Sequence, residues 1–521
     1  MSARVITNEQ LCELSEAHDQ AISELANCMA VSRMWDQDFT LWQDDPTEVA
    51  DRLGWLSVAV EDHSPHIRAY NQLADEIWND GLRRVVLLGM GGSSLFPEVL
   101  RRSFTSPDGR PGLTVLDTTH PGAIARIGSG ASLDDCLFVV ASKSGTTIET
   151  TSQLDYFWEA TGKDPKRFVV ISDPETELAK LATKRGFRRV IENRGDIGGR
   201  YSALSAFGLV PAALLGVDSS ELLSRAREMG KATSTEVATA DNPAVRLASL
   251  MVAGVRLGRD KMTLVLPDDI SSFGLWIEQL VAESTGKHGV GVVPIVDEPL
   301  GDPSAYGDDR VFVAIGSGPH SRHLDALSKA GHPVIEFSHS DAFDIGGHVF
   351  LWEQATALAG ALLELNPFDQ PDVTSAKAAT SEVLEGAITS AVNEISLATL
   401  LDVLSAGDYI AIQAFVDPYD QQLMDELQRA RLALRDRYKV ATTLGIGPRF
   451  LHSTGQLHKG GPTTGVFIQV IDDNLDDLEI PGRPYNFSTL IKAQATGDLT
   501  TLTNRSLRAG RVRLSDLLAL A

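Results

Sequence analysis

Several segments combine residue types that could carry out acid–base chemistry on a small anionic molecule. Glu283 lies near the predicted end of a helix, where Gln279 and Lys287 share its face at spacings of four residues. A carboxylate at a helix end, beside Gly286, can project into a cleft and act as a general base. Taken alone, the same spacing favours an exposed Glu–Lys pair, so both interpretations stay open.

A second segment is dense in hydrogen-bond donors. Residues 142–150 (SKSGTTIET) hold five hydroxyl side chains, one lysine and one glycine directly after a predicted strand. Hydroxyls and backbone N–H groups at a helix N-terminus can surround a phosphate. Thr146 and Glu149 also have the spacing of a capping box, but a capping box needs only two of these residues. The density of hydroxyls therefore favours a phosphate-binding loop.

Two glycine-rich turns could bring backbone close to a ligand. Residues 89–94 (GMGGSS) follow a strand and fit a tight turn, a dinucleotide site with Asp117 ending the next strand, or a sugar-phosphate site. Residues 198–202 (GGRYS) place Arg200 where its guanidinium could lie beside an oxyanion. By itself this second turn favours a loop with a surface arginine.

Further polar candidates lie near the C-terminal side. Lys377 follows a turn with two prolines at Asn366–Pro371, and is either a surface charge or a site ammonium. His452 and His458 are six residues apart, a poor fit for a metal pair on one helix face, and we expect no metal site. No segment has the Walker A pattern, so we do not expect nucleoside triphosphates as ligands.

The composition sets limits on partners and location. The chain has 521 residues, 43% of them hydrophobic, and a formal net charge of −24. This length predicts three or four compact units, and the acidity disfavours nucleic acid and anionic membranes. The three cysteines form no CxxC pair, and the first residues lack an apolar signal segment. We therefore expect a cytoplasmic protein without nucleic-acid or membrane partners.

The pattern of helices and strands around these residues predicts an α/β fold. Residues 1–80 predict an N-terminal helical segment, and continuous apolar runs that alternate with helices then predict parallel sheets covered on both faces. We expect two doubly wound domains, at 81–225 and 226–380, and a smaller C-terminal α/β unit at 381–521. The predicted strands lie at 85–88, 113–116, 137–140, 168–171, 262–266, 291–295, 311–315, 333–337, 409–416 and 465–471.

Together and in this order, the motifs resemble the phosphoglucose isomerase family. The resemblance runs from Val85 to Lys377 and includes GMGGSS, SKSGTTIET, GGRYS, the QLVAESTGK segment from Gln279 and the NPFDQ segment before the lysine. Residues 366–371 and 447–462 look closest to the isomerase half of transaldolase–phosphoglucose isomerase fusion proteins. No transaldolase barrel fits in this chain, so we expect isomerase activity alone.

The resemblance implies two sugar isomerase (SIS) domains with the active site between them. It implies that Glu283 moves a proton between C1 and C2 of glucose 6-phosphate and fructose 6-phosphate, that Arg200 stabilises the enediolate, and that Lys377 and a histidine assist ring opening. The resemblance implies no cofactor, and it implies a homodimer. A separate transaldolase chain is a candidate partner that the sequence itself does not decide. The implied substrate-binding residues are Gly92, Ser93, Ser142, Lys143, Ser144, Thr147, Gly199 and Gln279.

The ring-opening histidine departs from the family pattern. The family has a histidine in a segment after the catalytic glutamate, but the similar segment here, residues 301–310 (GDPSAYGDDR), has none. The candidates are His348, His452 and His458, since a histidine titrates near neutral pH. Of these we select His348, which precedes a predicted helix.

Other functions use some of the same motifs. A sugar-phosphate sensor would need the hydroxyl-rich loop but not Glu283, Arg200 and Lys377 together. A dinucleotide-dependent oxidoreductase would leave that loop without a role. An isomerase could also accept mannose 6-phosphate, since C2 epimers differ at the reacting carbon itself.

Overall fold

The computed structural model describes residues 5–107, 109–129, 133–316, 318–386, 392–472 and 475–521. These ranges contain fourteen strands, which form three sheets. The strands are β1 Ile6–Gln10, β2 Arg84–Gly89, β3 Gly112–Leu116, β4 Cys136–Ala141, β5 Phe168–Ser172, β6 Arg189–Glu192, β7 Lys261–Val265, β8 Val293–Ile295, β9 Arg310–Ile315, β10 Val334–Phe337, β11 Tyr409–Phe415, β12 Ala441–Ile446, β13 Gly465–Ile471 and β14 Arg508–Arg511.

Helices connect and cover these strands. The α-helices are α1 Ser15–Asn27, α2 Ala30–Trp35, α3 Ser64–Asn79, α4 Leu95–Ser103, α5 Pro121–Ser129, α6 Ile148–Ala160, α7 Glu177–Arg185, α8 Ala206–Leu215, α9 Ser219–Ala232, α10 Pro243–Arg256, α11 Phe273–Thr285, α12 Ser321–Lys329, α13 Asp344–Leu362, α14 Val373–Leu384, α15 Leu397–Leu401, α16 Gln421–Tyr438, α17 Gly455–Gly460, α18 Phe487–Asn504 and α19 Leu514–Leu518. Short 3-10 turns at Gly91–Ser93, Gly199–Tyr201 and Arg449–His452 carry residues of the site.

The first sheet has the order β3-β2-β4-β5-β6 with all strands parallel. Every residue of β4 is buried, because helices cover both faces of a parallel sheet. Neighbouring side chains of β4 point to opposite faces, and Val139 and Val140 accordingly belong to two different hydrophobic clusters. The apolar run that predicted this strand reflects that two-sided burial.

The second sheet has the order β1-β10-β9-β7-β8. Strands β7 to β10 are parallel, whereas β1 pairs antiparallel with β10. The sequence prediction of helices throughout residues 1–80 is wrong for β1. Its sequence, ITNEQ, has a single apolar residue, so the pairing comes from the open backbone edge of β10 and not from an apolar pattern.

The third sheet has the order β12-β11-β13-β14, again all parallel. Helix α18 connects this C-terminal region to the first sheet, because its Phe487 and Leu490 belong to the same hydrophobic cluster as Phe138 and Val140 of β4. The ring of Phe487 lies 5.9 Å from that of Tyr156 on α6. The C-terminal region is therefore packed directly against the sheet that carries the hydroxyl-rich loop.

The predicted α/β fold with parallel sheets is confirmed. All ten predicted strands are present within one to two residues, and the strands that sequence reasoning missed are β1, β6, β12 and β14. These four are short, polar or threonine-rich, and all of them lie at sheet edges. The three sheets fall within 81–225, 226–380 and 381–521 apart from β1, while the domain boundaries themselves stay predictions. Among the described residues, no helix combines the length and apolar character needed to cross a membrane.

Candidate active site

Two of the predicted loops lie side by side at one edge of the first sheet. Strands β2 and β4 are direct parallel neighbours, with Gly89 opposite Ala141 at their carboxyl ends. The turn at Gly91–Ser93 follows β2 and the loop at 142–147 follows β4. Ligands of open parallel sheets bind outside the carboxyl ends of the strands, so this edge is where a site is expected.

The hydroxyl-rich loop is held by its own side chains. The Oγ atom of Ser142 lies 3.1 Å from Oγ1 of Thr147 and accepts a hydrogen bond of 3.2 Å from the backbone N–H of Gly145. The Ser144 and Thr146 hydroxyls are 3.1 Å apart. Thr147 precedes α6, and no capping hydrogen bond of its side chain is found among the described residues. The loop thus keeps donors at a helix N-terminus, where anions are favoured.

Lys143 has an ionic partner beside this loop. Its ammonium pairs with the carboxylate of Asp173 and donates a hydrogen bond of 3.3 Å to the carbonyl of Gly195. The lysine therefore contributes positive charge at the rim of the loop from a fixed position.

Glu283 occupies the last turn of α11 with only 2% of its surface exposed. Burial raises the pKa of its carboxyl to about 7, against the opposing attraction of Arg200. Its Oε2 atom accepts hydrogen bonds from Nε2 of Gln370 at 2.8 Å and, more weakly, from Nε2 of Gln279 at 3.4 Å. A carboxyl with a pKa near neutrality can both take and return a proton, which is the property of a general acid–base.

Arg200 faces this carboxyl with 3% of its surface exposed. Its Nη1 atom lies 3.6 Å from Oε2 of Glu283. Its Nε donates to Oγ of Ser284 at 2.7 Å, and its Nη2 donates to the carbonyls of Pro367 at 2.6 Å and Asp369 at 3.0 Å. These bonds fix the guanidinium plane, so the interpretation of Arg200 as a surface residue is wrong.

Close backbone contact explains the glycines in the two turns. A Cβ atom placed on Gly92 would lie 2.0 Å from the carbonyl oxygen of Gly199. Any side chain at position 92 would therefore push the Arg200 turn away from the first sheet. Gly91 has a φ of +55° in the same turn, a conformation that favours glycine.

Lys287 lies just beyond α11 and supports the segment that holds Arg200. Its ammonium donates to the carbonyl of Asn366 and to Oδ1 of Asp369, the latter at 2.5 Å. Burial, and secondarily the charge of Arg200, lower the pKa of Lys287 to about 8. The predicted exposed Glu283–Lys287 pair is not what the structure contains, because both side chains are buried and have other partners.

The C-terminal region closes the other side of the site through His452. Its Nε2 lies 2.9 Å from Oε1 of Glu149, which is buried at the start of α6. Its backbone carbonyl accepts a hydrogen bond of 2.7 Å from Nε2 of Gln279. Burial opposes ionisation of Glu149, but attraction to His452 and the hydrogen bond between them hold the pKa of this carboxyl below its ordinary value. Glu149 is therefore not the partner of Thr146 in a capping box.

These residues surround a cleft of about 430 Å³. Sequence reasoning did not predict that Gln370 and Asp173 line the cleft. Gln370 could have been predicted, because it ends the NPFDQ segment on which the family resemblance partly rests. The predicted site residues that line the cleft are Gly92, Ser93, Lys143, Ser144, Thr147, Gly199, Arg200, Gln279, Glu283 and Lys377, and His452 joins them. Ser142 lies behind this surface, bonded to Thr147.

The structure does not bring His348 to the cleft. This residue lies in the first turns of α13 with 2% of its surface exposed, and its Nε2 is 3.1 Å from the carbonyl of Ser338. Burial lowers its pKa to about 4. His458 is also buried, with Nδ1 at 3.2 Å from Nε2 of Gln413, and burial lowers its pKa to about 3. Of the three histidine candidates, His452 is the one at the cleft.

Asp117, the residue that suggested a dinucleotide site, has an ionic partner. Its carboxylate accepts two hydrogen bonds from Arg449, at 2.7 and 2.8 Å, and is 1% exposed. A bidentate arginine occupies both oxygens, so this carboxylate serves the contact with the C-terminal region and is not available to a ribose.

Comparison with known proteins identifies relatives of this chain. The family model described as phosphoglucose isomerase matches residues 67–299. A glucose-6-phosphate isomerase of Rubrobacter xylanophilus is 29% identical over 378 residues, covering 60% of this chain and 85% of that protein. One from Gloeothece citriformis is 28% identical over 374 residues, covering 62% and 70%.

Solved structures share the fold. A glucose-6-phosphate isomerase from Chlamydia trachomatis matches with a TM-score of 0.60 and 18% identity, covering 71% of this chain and 86% of that one. A hypothetical protein from Thermus thermophilus matches with a TM-score of 0.61 and 22% identity, covering 72% and 99%. The family model and the named relatives show that this chain is similar to phosphoglucose isomerases over the part that they match, and the solved structures show a shared fold.

Proposed function

We propose that this chain is a glucose-6-phosphate isomerase, which interconverts glucose 6-phosphate and fructose 6-phosphate through an enediol. One observation carries the proposal: the carboxyl of Glu283 and the guanidinium of Arg200 are fixed 3.6 Å apart in the cleft that the hydroxyl-rich loop enters. Aldose–ketose exchange needs a base and a fixed cation at the reacting carbons. Curated relatives named for this activity support it.

The phosphate is assigned to the loop after β4. Ser144 and Thr147 line the cleft there, and the N-terminus of α6 adds backbone N–H groups and a favourable dipole. Ser142 shapes this loop from behind through its bond to Thr147. Binding energy from the phosphate, remote from C1 and C2, then positions the reacting carbons at Glu283.

Proton transfer is assigned to Glu283. In its ionised form the carboxylate removes the C2 proton of the open-chain aldose, and the electron pair forms the C1–C2 double bond as the carbonyl oxygen becomes an enediolate. Once the proton of the C2 hydroxyl has passed to the C1 oxygen, the same carboxyl returns its own proton to C1 as the C2–O bond becomes the carbonyl, which gives the ketose. Arg200 stabilises the enediolate oxygen, because its guanidinium is already oriented by Ser284 and two backbone carbonyls.

Ring opening is assigned to His452 with Lys377, in place of His348. Both side chains line the cleft. Glu149 binds Nε2 of His452, which leaves Nδ1 as the ring nitrogen for the substrate. The anomeric hydroxyl loses its proton to Nδ1 as the ring C–O bond breaks, and the ring oxygen takes a proton from Lys377.

The other functions fit this arrangement less well. A sensor needs no carboxyl with a pKa raised to about 7 opposite a fixed arginine. Acceptance of mannose 6-phosphate, a homodimer, a separate transaldolase partner and a cytoplasmic location stay predictions.

The proposal is tested by conversion of fructose 6-phosphate to glucose 6-phosphate with purified wild type and Glu283→Gln, and binding is measured in parallel. We expect turnover in the wild type and a loss of about 1,000-fold in the variant with binding retained. Binding without turnover in the wild type would favour the sensor instead.

A further inference from the structure

Behind His452, four side chains from separate segments of the chain form a continuous hydrogen-bonded series. The Thr119 hydroxyl donates to Oε1 of Gln494 at 2.7 Å, and Nε2 of Gln494 donates to Oε1 of Glu149 at 2.7 Å. The same oxygen of Glu149 lies 2.9 Å from Nε2 of His452. Thr119 follows β3, Glu149 begins α6, Gln494 lies on α18 and His452 ends a 3-10 turn.

The series fixes the orientation of the Gln494 amide. The backbone of Thr119 follows strand β3, and its hydroxyl is directed at the carbonyl oxygen of Gln494, so the NH₂ group must face Glu149. Thr119, Gln494 and Glu149 are 0%, 2% and 3% exposed. In such a buried place the carboxylate of Glu149 depends on these donors, because unpaired buried charge is costly.

On its other side, the Glu149 carboxyl borders a cavity. This cavity of about 270 Å³ adjoins the cleft and is lined by Glu149, Gln494, His452 and Lys377. The carboxyl thus borders open space on this side, and the hydrogen bond from Gln494 contributes to keeping Oε1 directed at the imidazole.

We propose that Gln494 is a positioning residue for ring opening: it fixes Glu149 and, through Glu149, the ring nitrogen of His452 that faces the sugar. The inference rests on the proposed function. By this assignment the C-terminal region supplies both the histidine itself and the amide that orients its partner. Gln494 does not touch the substrate, and it acts before proton transfer by Glu283.

The test compares two substrates that differ in whether a ring must open. Wild type and Gln494→Ala are assayed with fructose 6-phosphate and with its analogue lacking the C5 hydroxyl, which cannot close a ring. The readout for both is deuterium incorporation at C1 in heavy water. Lys492→Ala, an exposed position on the same helix, serves as the matched control.

We expect Gln494→Ala to slow exchange of fructose 6-phosphate about 10- to 100-fold, as for loss of a hydrogen bond to a charged group. Exchange of the open-chain analogue should fall by less than about 3-fold, since Glu283 and Arg200 are untouched. Thr119→Val should also slow exchange of fructose 6-phosphate more than exchange of the analogue, but by a smaller factor than Gln494→Ala. This variant provides a second measurement if Gln494→Ala does not fold. Lys492→Ala should match the wild type.

Equal slowing of both substrates in Gln494→Ala and Thr119→Val would mean a merely structural role and would overturn the inference. Unchanged exchange of both substrates would overturn it as well. If the wild type exchanges neither substrate, both the proposed function and this inference are wrong. This outcome is distinct from the other two, because it is seen in the wild type before any substitution is made.

Discussion

The guanidinium Nη1 of Arg200 lies 3.6 Å from the carboxyl Oε2 of Glu283, and both side chains are almost completely buried. Arg200 is held by Ser284 and the 367–369 backbone, and Glu283 by Gln370, so neither depends on the other for its position. The distance leaves the pair close enough for electrostatic coupling but without a tight hydrogen bond. A substrate oxygen can therefore take the place of Glu283 as the partner of Arg200 as the proton moves.

The raised pKa of Glu283 sets the expected pH dependence. Because burial raises its pKa to about 7, this carboxyl is protonated below that pH and cannot act as the base. We expect kcat/KM to rise with pH and to level off above about pH 7. Gln370→Leu removes a donor to the carboxylate, which disfavours the ionised form, and should move this rise to higher pH. A flat profile from pH 5 to 8 in steady-state assays would contradict the assignment.

Arg200→Lys preserves the positive charge but not the geometry. A lysine cannot reach Ser284 and the two carbonyls at once, so the cation loses its fixed position. We predict that kcat falls about 100-fold while KM changes little, since the interaction is strongest in the transition state. Steady-state kinetics with fructose 6-phosphate measure both values, and a kcat within about 3-fold of wild type would exclude the proposed role.

The choice between the histidines can be made by a matched pair of substitutions. His452→Gln should lower turnover of cyclic sugar phosphates about 100-fold, because it removes the acid–base group at the cleft. His348→Gln should leave kcat nearly unchanged, since His348 contacts the Ser338 carbonyl away from the cleft. The reverse result would restore His348 as the ring-opening residue.

The contact between Arg449 and Asp117 should contribute to stability. Arg449→Met leaves the Asp117 carboxylate buried without its partner, and we expect the free energy of unfolding to fall by about 3 kcal/mol. Adding Asp117→Asn removes the unpaired charge and should recover some of the loss. Urea denaturation of the single and double variants measures the coupling, and full additivity of the two substitutions would show that the pair is not coupled.

Much of this arrangement could be predicted from local sequence. The apolar runs of β2, β4 and β5 reflect burial on both faces, and the loops after β2 and β4 carry glycine and hydroxyl residues whose types indicate anion binding. What could not be predicted is which loops meet across sheets. The turn that carries His452 packs on α18, which in turn packs against the first sheet, and the pairing of β1 depends on an open edge far along the chain. Neither the position of His452 nor the pairing of β1 leaves a pattern in the local sequence, so the sequence does not distinguish His452 from His348.

Hydrogen exchange at carbon separates proton transfer by Glu283 from ring opening by His452. Glucose 6-phosphate is incubated in heavy water with wild type and with Glu283→Gln, and NMR follows both deuterium at C2 and exchange between the α and β anomers. Wild type should catalyse both processes. Glu283→Gln should lose C2 exchange and keep anomer exchange, because ring opening is assigned to His452. C2 exchange at the wild-type rate in Glu283→Gln would contradict the assignment of proton transfer to Glu283.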